Sequence, residues 1–85
     1  MIKMPTNKDW ERLEFFLINQ MIKLSGKQIR EYEFTVNQLP DDLAVFKHVK
    51  WMKIQKWIKK EWTFRKSTKV ETPFLDLGHW VKFKW

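Results

Sequence analysis

VKWMKIQKWIKKEW, residues 49–62, sets three tryptophans among five lysines. On a helical wheel of about 100° per residue, Trp51, Ile54, Trp57, Ile58 and Trp62 gather in one arc, and Lys53, Lys56, Lys59 and Lys60 in the opposite one. Lys50, Met52, Gln55 and Glu61 fall at the borders. An apolar stripe facing a charged one is the pattern of a helix laid on a core. The tryptophans are expected to pack inward and the lysines to face water.

Upstream, Pro40 with Asp41 and Asp42 reads as the first turn of a short helix over about 40–47, because proline needs no N–H there and acids suit the positive end of the helix dipole. Before it, QIREYEFTV (28–36) fits two periods. Tyr32, Phe34 and Val36 alternate with Glu31, Glu33 and Thr35 as in a half-buried strand, while Ile29, Tyr32, Val36 and Leu39 fit a helical face. The aromatic and β-branched content favours the strand. The first element is a helix over about 7–25, capped by Thr6 or Asn7 with Asp9 in its first turn. Trp10, Leu13, Leu17, Met21 and Leu24 form its main apolar face. Phe15, Phe16, Ile18 and Ile22 add apolar surface on its other sides, so more than one face is expected to be covered. Gly26 is expected to close it in the left-handed conformation.

Downstream, the period shortens to two. Val70 to Leu75 reads as a strand with Pro73 at an edge, and D-L-G at 76–78 offers a turn. In WVKFKW (80–85), Val81, Phe83 and Trp85 lie on one side and Trp80, Lys82 and Lys84 on the other. The expectation is a C-terminal β-hairpin. The fold class is thus α+β: one small domain over 1–85 in the order helix, strand, helix, helix, hairpin.

Eighty-five residues bury only about 60 to 65% of the unfolded surface, so large side chains matter, and there are six Trp and seven Phe. Zero Cys removes disulfides and thiolate metal sites. The longest unbroken apolar runs, FFLI (15–18) and LAVF (43–46), are far short of the roughly 20 residues a membrane span needs. With no signal-like apolar stretch in MIKMPTNKDW, a cytoplasmic protein is expected.

The net charge of +7 is concentrated. Lys47, Lys50, Lys53, Lys56, Lys59, Lys60, Arg65, Lys66 and Lys69 stand against one acid, Glu61, and the rest of the chain sums to −1. A basic patch of this kind attracts a polyanion or an acidic protein surface. The order of elements looks like that of the winged-helix family, in which a short helix and a recognition helix are followed by a hairpin wing. D-L-A (42–44) resembles the opening of the family's first motif helix, and KWMKIQKWIKKE (50–61) stands where its recognition helix would, over about 45 residues in all. The resemblance implies nucleic-acid binding, with DNA preferred to RNA.

The residues expected to carry binding are Lys50, Lys53, Gln55, Lys56, Lys59 and Lys60, with Arg65, Lys66 and Lys69 reaching flanking phosphates. Fourteen lysines to three arginines favour phosphate contact over base reading, so binding is expected to be electrostatic and weakly sequence-specific. The alternative expectation is an inhibitor or adaptor of the kind mobile elements encode. It would dock an acidic partner through the same patch, anchored by exposed aromatics such as Phe64, Trp80 or Trp85. No enzyme, cofactor or metal is expected: His48 and His79 stand apart, Asp41 and Asp42 point apart in a helical first turn, and two glycines cannot build a phosphate-cradling loop.

Overall fold

The computed structural model describes residues 4–62, 68–73 and 79–85. Helix α1 spans Asn7–Gly26 and opens with a reciprocal cap. The Asp9 amide donates to Thr6 Oγ1 at 3.3 Å, and the Thr6 amide donates back to Asp9 Oδ2 at 2.8 Å, so two N–H groups that the helix cannot satisfy find partners. Its C-terminus differs from the sequence expectation. Gly26 is the last helical residue, and Gln28 instead takes the left-handed backbone, with φ of 63°. The Gln28 and Ile29 amides then donate to Ser25 O and Leu24 O, both at 2.9 Å, which satisfies the last carbonyls.

Of the α1 side chains, Leu13 and Leu17 are fully buried, and Trp10, Phe16, Ile18 and Met21 pack at the edge of the core. Phe15 and Ile22 are exposed, at 65% and 62%. Against expectation, the helix is covered on one broad side and bare along the Phe15–Ile22 line. Strand β1, Glu31–Phe34, follows and turns Tyr32 and Phe34 inward. Of the two periods that fitted this segment, the shorter one describes it.

A 3-10 turn at Val36–Gln38 leads to Leu39, which is buried, and Pro40. The expected short helix is present as a 3-10 helix, Asp41–His48, interrupted at Leu43, whose φ of −112° and ψ of 18° lie outside helical values. Pro40 stands just before it rather than in its first turn. Leu43 and Phe46 reach the core, and the Phe46 ring meets Trp10 edge-on at 4.8 Å. Helix α2, Trp51–Trp62, comes next.

Strands β2, Lys69–Glu71, and β3, Val81–Lys84, complete a three-stranded antiparallel sheet in the order β1-β3-β2. The last strand therefore lies in the middle, with Phe83 opposite both Tyr32 and Val70. The expected hairpin is thus β2 with β3. β2 is shorter and earlier than Val70 to Leu75, and Pro73 lies beyond its end, where no ladder hydrogen bond is asked of it. The expected turn at 76–78 lies outside the described residues.

The alternation expected for β3 is present. Val81 and Phe83 are fully buried, and Trp85 packs at the core edge with its indole N–H on Ser25 Oγ at 2.6 Å. One core joins α1, the sheet, the 3-10 helix and α2, with Leu13, Leu17, Phe34, Phe46, Ile54, Ile58, Trp62 and Phe83 among its members. No helix among the described residues is long and apolar enough to cross a membrane.

Candidate functional site

The inner face of α2 is committed to the core. Ile54 and Ile58 are fully buried and Trp62 is 2% exposed, with its ring edge-on to Phe83 at 5.2 Å. Trp51 and Trp57 flank that line half-buried, Trp51 against Phe34 at 5.8 Å and Trp57 against Trp10 at 4.9 Å. The tryptophans expected to pack inward thus divide, Trp62 being buried with Ile54 and Ile58 and Trp51 and Trp57 packing at the core edge. The Trp51 N–H is buried and has no hydrogen-bond partner among the described residues.

With its inner face consumed, α2 turns Lys53, Lys56, Lys59 and Lys60 to solvent together. Lys50, just before the helix, and Lys47, near the end of the 3-10 helix, are exposed as well and extend the row. Lys53, Lys56 and Lys60 make no ion pair with any described residue. Across residues 47–62 six ammonium groups face one carboxylate, Glu61, which is half-buried. Met52, 49% exposed, is the one exposed large apolar side chain on α2 among the described residues. Neither Lys47 nor Met52 was among the residues expected to carry binding. Lys47 was legible as part of the charge excess, whereas the exposure of Met52 depends on how the helix is rotated.

Gln55 has a different task. Its side-chain amide donates to the Trp80 carbonyl at 3.4 Å, tying α2 to the start of β3, and the residue is half-buried. The one side chain on the expected α2 face suited to reading a base edge is therefore engaged within the fold.

Lys69 lies on β2 rather than α2, directly opposite Lys84 on the outer face of the sheet. That face also carries Glu31, Glu33, Glu71 and Lys82. Lys82 pairs with Glu31 and Lys84 with Glu71, each at 3.3 Å, and Lys82 also sits 5.7 Å from the Trp80 ring centre. With three carboxylates and three ammonium groups, this outer face of the sheet is compensated. Glu31 and Glu33 of β1, far away in sequence, supply two of these carboxylates, and Glu71 of β2 supplies the third. Arg65 and Lys66 lie outside the described residues, as does Phe64.

The expected aromatic anchors are largely occupied. Trp80 and Trp85 are half-buried, and among the described aromatic side chains Phe15 is the one left widely exposed. A groove of about 730 Å³ runs between α1 and the sheet, lined by Ile18, Met21, Arg30, Trp62, Thr68 and Trp85, at the two ends of the segment 63–67. Among the described residues no three His, Asp or Glu side chains come together as metal ligands would.

Among the described residues Tyr32 is the one group with a clearly displaced titration. Burial pushes its phenol up to about 12, and its hydroxyl donates to Gln38 Oε1, whose amide in turn donates to Glu33 O at 3.0 Å. This network holds β1 to the following turn and is remote from the lysine row in sequence. No known protein family, curated protein or solved structure matches this chain.

Proposed function

We propose that the chain is a nucleic-acid-binding domain that lays the outer face of α2 against a phosphate backbone through Lys50, Lys53, Lys56, Lys59 and Lys60. The observation that carries this reading is the division of α2. Packing consumes one face completely and leaves a row of ammonium groups on the other. Such a row interacts with a regularly charged polymer by releasing its counterions. The order of elements, with a hairpin after the lysine helix, supports the reading by its resemblance to the winged-helix family.

The same geometry favours a duplex over a single strand. Single strands are held by exposed aromatic platforms beside a basic track, and the α2 tryptophans are turned inward. A helix of roughly 10–12 Å diameter fits the roughly 12 Å major groove of B-form DNA, whereas the RNA duplex has a deep, narrow one. With Gln55 held by Trp80 and lysine predominating, affinity should depend little on base sequence. Met52, half exposed within the basic surface, favours a second reading: an inhibitor or adaptor that sets a flexible apolar anchor and its basic rim against an acidic protein.

Fluorescence anisotropy with a DNA duplex, its scrambled version, a single strand and an RNA duplex tests the proposal. The two DNA duplexes should bind alike and more tightly than the others. Absence of binding to every nucleic acid at low salt would leave the acidic-protein reading.

A further inference from the structure

We infer that the groove between α1 and the sheet binds a small anionic amphiphile, a carboxylate carried on an apolar body, with Arg30 holding the carboxylate and the apolar lining holding the rest. The groove measures about 730 Å³, within the range of roughly 300 to 1,000 Å³ typical of clefts that take small molecules. Helix α1 contributes Ile18, Met21 and Ile22 to it. Trp62, the last residue of α2, and Trp85, the residue after β3, supply the rest of the apolar lining. Both indoles are fixed by contacts of their own. Trp62 stands edge-on to Phe83 at 5.2 Å, and Trp85 donates its ring N–H to Ser25 Oγ at 2.6 Å and its backbone N–H to Arg30 O at 3.1 Å. The lining is therefore set before a ligand arrives. Ile22, 62% exposed, is apolar surface that packing within the chain leaves bare.

The charge at the groove selects the occupant. Arg30 is the one charged side chain among the described residues that line it. It is exposed, and its guanidinium makes no ion pair or hydrogen bond with any described residue. Glu31, next in the chain, is held by Lys82 at 3.3 Å on the outer face of the sheet. A planar cationic fork beside an apolar trough matches a carboxylate, which accepts two parallel hydrogen bonds from it. A cationic ligand would be repelled, and a neutral one would leave the fork unused. The lysine row lies on the opposite side of α2 from Trp62, so this site works independently of what the outer face of α2 binds.

The test titrates the nitrogen-15-labelled protein with decanoate, octanoate and decanol, following amide and indole N–H signals by NMR and affinity by calorimetry. Decanoate should bind saturably, shifting the Trp85 indole signal and the amides of Ile18, Met21 and Ile22. It should bind roughly tenfold more tightly than decanol, which lacks the charge, and about tenfold more tightly than octanoate, which is two CH₂ groups shorter. Arg30→Gln should bring decanoate down to the affinity of decanol, and Ile22→Glu should weaken decanoate by roughly tenfold or more by setting a like charge at the groove. Both positions are exposed, so both variants should fold, which urea melts would verify. Decanoate shifts confined to Lys53, Lys56 and Lys60 would overturn the inference by showing ion pairing with the lysine row only. Equal binding of decanol and decanoate, an undiminished decanoate affinity in Arg30→Gln, or no saturable binding would overturn it as well.

Discussion

Tyr32 shows how a single side chain can report on the packing around it. It is the one tyrosine in the chain, so the absorbance of its phenolate is unmixed with that of any other tyrosine. Burial raises its pKa from the ordinary 10.0 to about 12 because the charged form is poorly solvated there. The folded state therefore holds its proton in a pH window where the unfolded chain has lost it. This contribution to stability is complete below pH 10 and is lost as pH rises towards 12. Spectrophotometric titration should show phenolate appearing near pH 12 in the folded protein and near 10 in urea, and Tyr32→Phe should remove the signal and its share of the alkaline destabilisation. Coincident titrations in the two states would show that Tyr32 is solvated. Gln55 makes a different point at the same scale: its type suits base reading, but its hydrogen bond to Trp80 O assigns it to the fold. A sequence lists its donors without saying which of them tertiary structure will occupy.

At the scale of the element, α2 is two surfaces on one rod, and its energetics should divide in the same way. Trp62→Ala would open a cavity beside Phe83 and cost about 3 to 5 kcal/mol, a large share of the stability of a small domain. Lys56→Ala should change stability by less than about 0.5 kcal/mol. Trp57→Ala should fall between them, since Trp57 is half-buried at the edge of the core. Urea melts check the ranking, and a loss at Lys56 as large as that at Trp62 would mean the helix is turned over. Periodicity made most of these elements legible: α1, β1, α2 and β3 follow their 3.6- and 2-residue patterns closely. Features set by distant partners were not. The interruption at Leu43, the left-handed Gln28 in place of Gly26 and the early end of β2 depend on how the chain docks. The lysine row was legible because it lies on one helix. The compensated outer face of the sheet was not, because two of its three acids, Glu31 and Glu33, come from β1, more than thirty residues earlier.

For the whole molecule, the distribution of charge matters more than its sum. The outer face of the sheet balances its acids and lysines, α1 mixes both signs, and the excess remains on α2 and the connection before it. Net charge alone would attract a polyanion to any side, whereas an organised row predicts a defined number of displaced counterions. The most direct measurement is the salt dependence of DNA duplex binding in three proteins: the wild type, Lys53→Gln/Lys56→Gln/Lys59→Gln, and Lys8→Gln/Lys23→Gln/Lys27→Gln. The two triple variants lose the same charge. If Lys50, Lys53, Lys56, Lys59 and Lys60 neutralise five phosphates, log affinity should fall against log salt with a slope of about −4 to −5 in the wild type and the α1 variant. In the α2 variant the slope should fall to about −2, with much weaker binding. Indistinguishable slopes and affinities in the two variants would contradict a binding row on α2 and leave only bulk charge.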